Sequence, residues 1–97
     1  MKILSKDLID EFITDHADAK SALQRWVDIV EDAEWHSHAD LKSYFPSADY
    51  VGNERYVFNI KGNKYRMVVV VIFVAGVIII RFLGTHAAYD RIKSKTI

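Results

Sequence analysis

The residue types best suited to chemistry lie in the last third of the chain, where two apolar segments are bordered by cations, a histidine and a tyrosine. These residues are Lys64, Arg66, Arg81, His86, Tyr89 and Asp90. Arginine and lysine contact the phosphates of nucleic acids, and paired strands hold their side chains stiffly. The pattern therefore indicates a site for gripping or cutting RNA phosphates.

Cleavage of RNA without a metal needs three kinds of group at one phosphate. A base removes the proton of the 2′-hydroxyl, cations stabilise the developing negative charge, and an acid protonates the leaving 5′-oxygen. The guanidinium groups of Arg66 and Arg81 suit a phosphate, and Lys64 adds a charge near them. His86 is the candidate for proton transfer because free imidazole titrates near neutral pH. Tyr89 could donate a proton or stack on a base.

Each of these residues also has an ordinary structural explanation. Arg81 could be an edge charge that protects a sheet from aggregation. His86 could cap the helical tail, and Asp90 with Arg91 could form a solvated ion pair. Only the combination of cations with aromatic side chains favours the functional interpretation.

The charges of the chain are unevenly divided, although its net charge is zero. Residues 1–53 contain 11 acidic and 5 basic residues, whereas residues 54–97 contain 2 acidic and 8 basic ones. Polyanion binding depends on a local basic surface rather than on the mean charge. The C-terminal half could therefore bind nucleic acid. Its RNA-binding candidates are Lys61, Lys64, Arg91 and Lys93.

No motif of a metal or nucleotide cofactor is evident, and none is expected. The chain has no cysteine, which excludes disulfides and thiolate zinc sites and fits a reducing cytoplasm. His36, His38 and Asp40 form too small a set for a tetrahedral metal site. No P-loop, GxGxxG, HExxH or GxSxG pattern occurs. We expect no secretory signal, because no basic segment followed by an apolar core opens the sequence.

The first half of the chain predicts helices within one domain over residues 1–97. Ser5 could cap a first helix that ends near Asp15, and a second helix begins near Asp18 with Trp26 in its apolar stripe. A third, short helix is predicted from Asp40 to Phe45, and Pro46 ends it. Lys2–Leu4 is a short extended candidate.

The second half predicts a small sheet. The predicted elements are a strand over Tyr56–Lys61, a turn at Gly62-Asn63, strands over Tyr65–Val74 and Val77–Phe82, an end at Gly84-Thr85, and a helical tail over Ala87–Ile92. The uncharged run from Met67 to Ile80 is too short for a membrane helix and is rich in β-branched residues. Helices can cover one face of this hairpin, and the other face could need a partner protein.

The same stretch resembles a known family. The segments ADYVGNERYVFNIKGNKYRMVVV and IIIRFLGTHAAYDRI, with FNI, KYR and THAAYD as the specific pieces, resemble the HigB-type toxins of bacterial toxin–antitoxin modules, within the RelE-like superfamily. The likeness extends to Ala33–Trp35 and Phe45–Asp49, and so spans nearly the whole chain.

The resemblance implies an α+β, RelE-like fold, with N-terminal helices packed on a small, mainly antiparallel sheet and a short C-terminal helical tail. It also implies a cytoplasmic, ribosome-dependent mRNA interferase that uses no metal or cofactor and does not bind membranes. Its partners would be the ribosome with its mRNA and a HigA-type helix-turn-helix antitoxin, through which alone it would meet operator DNA. The matching site positions are Lys64, Arg66, Arg81, His86, Tyr89 and Asp90.

Two departures from the family pattern leave alternatives open. The segment Ile72–Ala75 is more apolar than the hairpin tip usual in relatives, and Ala88 stands where many relatives have glutamate. A non-cleaving RelE-like toxin, or a binding module that acts on another target, is the first alternative. A structural interaction domain is the second.

Overall fold

A mainly antiparallel sheet forms the centre of the molecule, and helices cover one of its faces. The computed structural model describes residues 1–94 and 96–97. In this part of the chain the strands are β1 (Lys2–Leu4), β2 (Asp49–Gly52), β3 (Arg55–Ile60), β4 (Tyr65–Ile72) and β5 (Val77–Thr85). The helices are α1 (Asp7–Asp15), α2 (Lys20–Asp32), α3 (His38–Tyr44) and α4 (His86–Tyr89), with 3₁₀ turns at Ala17–Ala19 and Phe73–Ala75.

The strand order is β1-β5-β4-β3-β2. β1 pairs with β5 in parallel, and the other neighbours are antiparallel. The predicted α+β fold is therefore confirmed, and so is the extended segment Lys2–Leu4. Among the described residues, no helix has both the length and the apolar character needed to cross a bilayer.

The core lies between the helices and one face of the sheet. Alternate residues of β3 and β4, such as Phe58 and Met67, are buried in one cluster with residues of α2 and with Trp35. The rings of Trp26 and Phe58 meet edge to face at 5.5 Å, an arrangement that aromatic pairs favour. We call this side of the sheet the helix face and the opposite side the back face.

The back face is partly covered by the chain itself. Val57 and Val68 lie on this face and are 3% and 0% exposed. The guanidinium of Arg55 donates from Nε and Nη2 to the backbone oxygen of Ile97, at 3.1 and 2.7 Å. Ile97 therefore lies beside Arg55, and both valines are already buried within the described part of the chain.

The predicted helix boundaries needed correction. Ser5 is not the cap of α1: its φ is 67°, and Lys6 precedes the helix without a capping side chain. α3 begins at His38, earlier than predicted, because Ser37 caps it by accepting a hydrogen bond from the amide of Asp40. α4 begins at His86 and ends at Tyr89, where a tail over Ala87–Ile92 was predicted.

The predicted strands also differ from those observed. β2 was missed, because it has only four residues and an irregular register. β4 ends at Ile72, and Gly84-Thr85 continues β5 rather than ending the sheet. The turn was placed correctly, since the Lys64 amide donates to the Lys61 carbonyl across Gly62-Asn63 at 3.2 Å.

Candidate active site

Arg66 and Tyr89 form a cation–π pair on the back face. The register places Arg66 of β4 between Asn59 of β3 and Gly84 of β5. Its guanidinium carbon lies 4.8 Å from the centre of the Tyr89 ring, which is cation–π geometry. The Nε of Arg66 is buried and makes no hydrogen bond within the described part of the chain. The ring of Tyr89 therefore helps to hold the Arg66 cation in one position.

Phe82 packs beside the Arg66–Tyr89 pair. Its ring centre lies 6.5 Å from that of Tyr89. A Cβ atom added to Gly84 would lie 2.7 Å from Cζ of Phe82, so the phenyl ring occupies the space above the glycine. Glycine at position 84 thus allows the ring to pack along its own strand, next to Arg66.

We expect the substitution Gly84→Ala to destabilise the protein by about 1–3 kcal/mol, because the added methyl forces the Phe82 ring out of its place. Urea denaturation followed by circular dichroism would measure the loss. The double variant with Phe82→Leu is the control, since leucine lacks the outer ring atoms. If Gly84→Ala costs the same in both backgrounds, the clash with the ring is not the cause.

His86 lies at the start of α4, two residues after Gly84. The helix cap is Thr85 and not His86, because Oγ1 of Thr85 accepts a hydrogen bond from the Ala88 amide at 3.1 Å. The imidazole is half-buried and forms no hydrogen bond with described residues. Asp90 and Arg91 are exposed and do not pair with each other. Lys93 is also exposed.

Arg81 occupies a different environment from Arg66. It lies at the irregularity where the register between β4 and β5 shifts, opposite Val68 and Val69. Its side chain is exposed and lines a groove beside α1 with Glu11, Asp15 and His16. No hydrogen bond or ring contact among the described residues joins Arg66 to Arg81, whereas Arg66 lies against the ring of Tyr89; the joint role of the two arginines at one phosphate stays a prediction.

Lys61 and Lys64 form ion pairs with Asp18, a contact that the sequence analysis did not predict. Oδ2 of Asp18 accepts hydrogen bonds from Lys64 and Lys61, at 2.6 and 3.0 Å, and its Oδ1 accepts one from the Tyr65 hydroxyl at 2.7 Å. The hydrogen bond from Lys64, followed by those from Tyr65 and Lys61, holds the pKa of Asp18 well below its usual range. The same contact raises the pKa of Lys64. The Asp18 carboxylate therefore offsets part of the positive charge of the two lysines.

We expect Asp18→Asn to release both lysines and to raise affinity for single-stranded RNA roughly threefold or more at low salt, because two further cations become available to phosphates. Fluorescence anisotropy of a labelled RNA would measure this affinity. Asp28→Asn, which removes an exposed acid of α2, is the matched control. An unchanged affinity in Asp18→Asn would show that these lysines do not meet RNA.

The Asp18 contacts also predict a pH dependence of stability. Because the pKa of Asp18 is lowered in the folded protein, its contribution is present above about pH 4, where the unfolded side chain is also ionised, and is lost as the pH falls toward the folded value. Wild type should therefore lose stability on acidification more steeply than Asp18→Asn. Parallel stability curves between pH 5 and pH 2 would contradict this expectation.

His36 and His38 both take part in local hydrogen bonds near α3, the first through its backbone and the second through its ring. Nδ1 of His38 lies 2.8 Å from the hydroxyl of Tyr56. The Asp40 carboxylate accepts the backbone N–H of His36 at 2.8 Å. Within residues 1–94 and 96–97, no cluster of three or more histidine, cysteine or acidic side chains is arranged to hold a metal ion.

The fold and the comparisons together define the class of protein. The helices, the five-stranded sheet and the short C-terminal helix have the architecture of a RelE-like toxin. A family model described as HigB_toxin, RelE-like toxic component of a toxin-antitoxin system, matches residues 19–92. The chain therefore belongs to the HigB toxin family, and its family partner is an antitoxin.

A curated relative agrees with this assignment. The chain is 23% identical over 94 residues to a protein named mRNA interferase HigB, from Escherichia coli O6:H1 strain CFT073. The alignment covers 95% of this chain and 91% of the relative.

Proposed function

We propose that the protein is a ribosome-dependent mRNA interferase, an endoribonuclease that cuts translated mRNA and arrests growth. The observation that carries the proposal is the Arg66 guanidinium positioned over the Tyr89 ring. Membership of the toxin family and the name of the curated relative support the same function. The protein would act in the cytoplasm, where translated mRNA is found.

The chemistry needs a transfer of two protons and one exchange of bonds at phosphorus. The 2′-oxygen forms a bond to phosphorus as a base removes its proton, and the bond from phosphorus to the 5′-oxygen breaks as an acid protonates that oxygen. The products are a 2′,3′-cyclic phosphate, which can open to a 3′-phosphate, and a 5′-hydroxyl. In this scheme Arg66 stabilises the charge on the phosphoryl oxygens, and His86 transfers a proton.

Tyr89 and the remaining cations have supporting roles in the proposal. Tyr89 orients the Arg66 guanidinium through its ring and has its other face or edge for an RNA base. Arg91 and Lys93 follow α4 directly and are exposed, so they can contact the RNA backbone. Arg81 would contribute from the α1 groove, on RNA or on the ribosome.

The proposed partner is a HigA-type helix-turn-helix antitoxin that holds the toxin inactive. Operator DNA would be bound by that antitoxin and not by the toxin. No metal or other cofactor is assigned a role in the reaction.

Cleavage of a defined mRNA on a stalled ribosome, with chelator present, tests the proposal. Purified wild type should cut within the decoding site and leave 5′-hydroxyl ends, and the same RNA without ribosomes should stay intact. A folded protein that arrests translation but leaves the mRNA intact would contradict the enzyme and favour the non-cleaving toxin.

A further inference from the structure

A second concave surface lies on the helix face, on the side of the sheet opposite Arg66. It is an open cavity of about 450 Å³ between α3, the turn from β2 to β3 and the end of β4. We call it the Tyr50 pocket. Its lining residues are His38, Tyr50, Glu54, Tyr56, Val71 and Phe73. None of them belongs to the candidate active site.

Aromatic rings form the walls of the Tyr50 pocket. The Tyr50 ring centre lies 5.1 Å from that of Tyr56 and 6.0 Å from that of His38, and Tyr56 lies 6.2 Å from Phe73. Tyr56 is 2% exposed and its hydroxyl is hydrogen-bonded to Nδ1 of His38, whereas Tyr50 is 53% exposed. Burial, followed by the nearby Tyr50, raises the pKa of Tyr56. The walls are therefore rigid at the base and accessible at the rim.

The pocket contains one carboxylate, that of Glu54. Glu54 has a φ of 64° and follows Asn53 with a φ of 50°, a backbone region that side-chain-bearing residues rarely adopt. The Glu54 carbonyl accepts the Val71 amide at 2.9 Å, which fixes this backbone to β4. Among the described residues, nothing forms a hydrogen bond or an ion pair with the Glu54 carboxylate. The described residues that line the pocket include no lysine or arginine.

We propose that the Tyr50 pocket binds a lysine or arginine side chain presented by the antitoxin. The faces of aromatic rings attract cations, and a carboxylate beside them strengthens the attraction. An RNA base could stack on the same rings, but its phosphate would meet Glu54 without a neighbouring cation in the lining. The proposal depends on the family's antitoxin and not on RNA cleavage.

Capped tripeptides test the chemistry of the pocket directly. Acetyl-Gly-Arg-Gly-amide and its lysine analogue should shift the amide resonances of Tyr50, Glu54 and Tyr56 in a ¹H–¹⁵N titration, and norleucine and glutamate analogues should not. Glu54→Gln should weaken binding at least about threefold, and Tyr50→Ala should abolish it. Tyr44→Ala, which removes an exposed tyrosine outside the pocket, should leave it unchanged.

Two results would overturn the chemical assignment. Equal binding of the norleucine peptide would make the pocket an apolar site, and preferential binding of uridine or adenosine monophosphate would make it a base-stacking site.

The full-length antitoxin then tests the partner. The antitoxin should dissociate about tenfold faster from the toxin variants Glu54→Gln and Tyr50→Ala than from Tyr44→Ala. Equal dissociation rates would exclude the antitoxin as the occupant. Each result can be obtained whether or not the protein cuts mRNA.

Discussion

Replacement of Arg66 by lysine is expected to slow cleavage of ribosome-bound mRNA by at least about a hundredfold, the usual effect of removing one preorganised donor to a developing charge. Lysine keeps the positive charge but loses the planar fork and the close packing on the Tyr89 ring. A single-turnover cleavage rate on saturating stalled ribosomes would measure the chemical step apart from binding.

Arg25→Lys provides the matched control for Arg66→Lys. Arg25 is an exposed arginine of α2, away from the back face, so its exchange for lysine should leave the rate unchanged. Both variants should unfold at the same denaturant concentration as wild type to within experimental error. A rate for Arg66→Lys within about twofold of wild type would show that the guanidinium does not stabilise the transition state.

Replacement of His86 by glutamine is expected to lower the cleavage rate by about a hundredfold or more, because a positioned proton-transfer group contributes an effect of this size. Glutamine keeps a polar side chain of similar reach but cannot exchange a proton near neutral pH. The pH–rate profile should lose one limb. If the lost limb is the fall at high pH, His86 acts as the acid; if it is the fall at low pH, His86 acts as the base.

Tyr89→Phe separates the two candidates for proton transfer. Phenylalanine keeps the ring over Arg66 and removes only the hydroxyl, so we expect a rate within about threefold of wild type. Tyr89→Ala removes the ring as well and should cost at least about tenfold, since base stacking alone has effects of this order. If Tyr89→Phe is as slow as His86→Gln, the phenol rather than its ring takes part in the reaction.

The acidic surroundings of Arg81 weaken its attraction for a phosphate. Arg81 shares a groove with the acidic residues Glu11 and Asp15 of α1, whereas Arg66 lies against an aromatic ring. An arginine beside acidic residues attracts a phosphate less strongly than one without them. We therefore rank Arg66 above Arg81 as the cation at the reacting phosphate.

The main helices, the hairpin and the class of fold could be predicted from the amino-acid sequence. The apolar spacing around Trp26 predicted α2, and the charge-free run of β-branched residues from Met67 to Ile80 predicted paired strands. The motif segments KYR and THAAYD indicated the toxin family, which the family model confirmed. These features are local, because helix and strand periodicity and turn chemistry depend on residues close in the chain.

Which of the candidate residues contact one another depends on the packing of elements that are distant in the sequence. A shift of one residue in the register, at the irregularity beside Arg81, changes the direction in which the following side chains point. Asp18 reaches Lys61 and Lys64 across 43 and 46 residues, and Arg55 reaches Ile97 across 42. Such contacts are set by the packing of distant elements, and local spacing contains no information about them. The assembly of Arg66 with Tyr89 and of Glu54 with the aromatic rings depends on that packing.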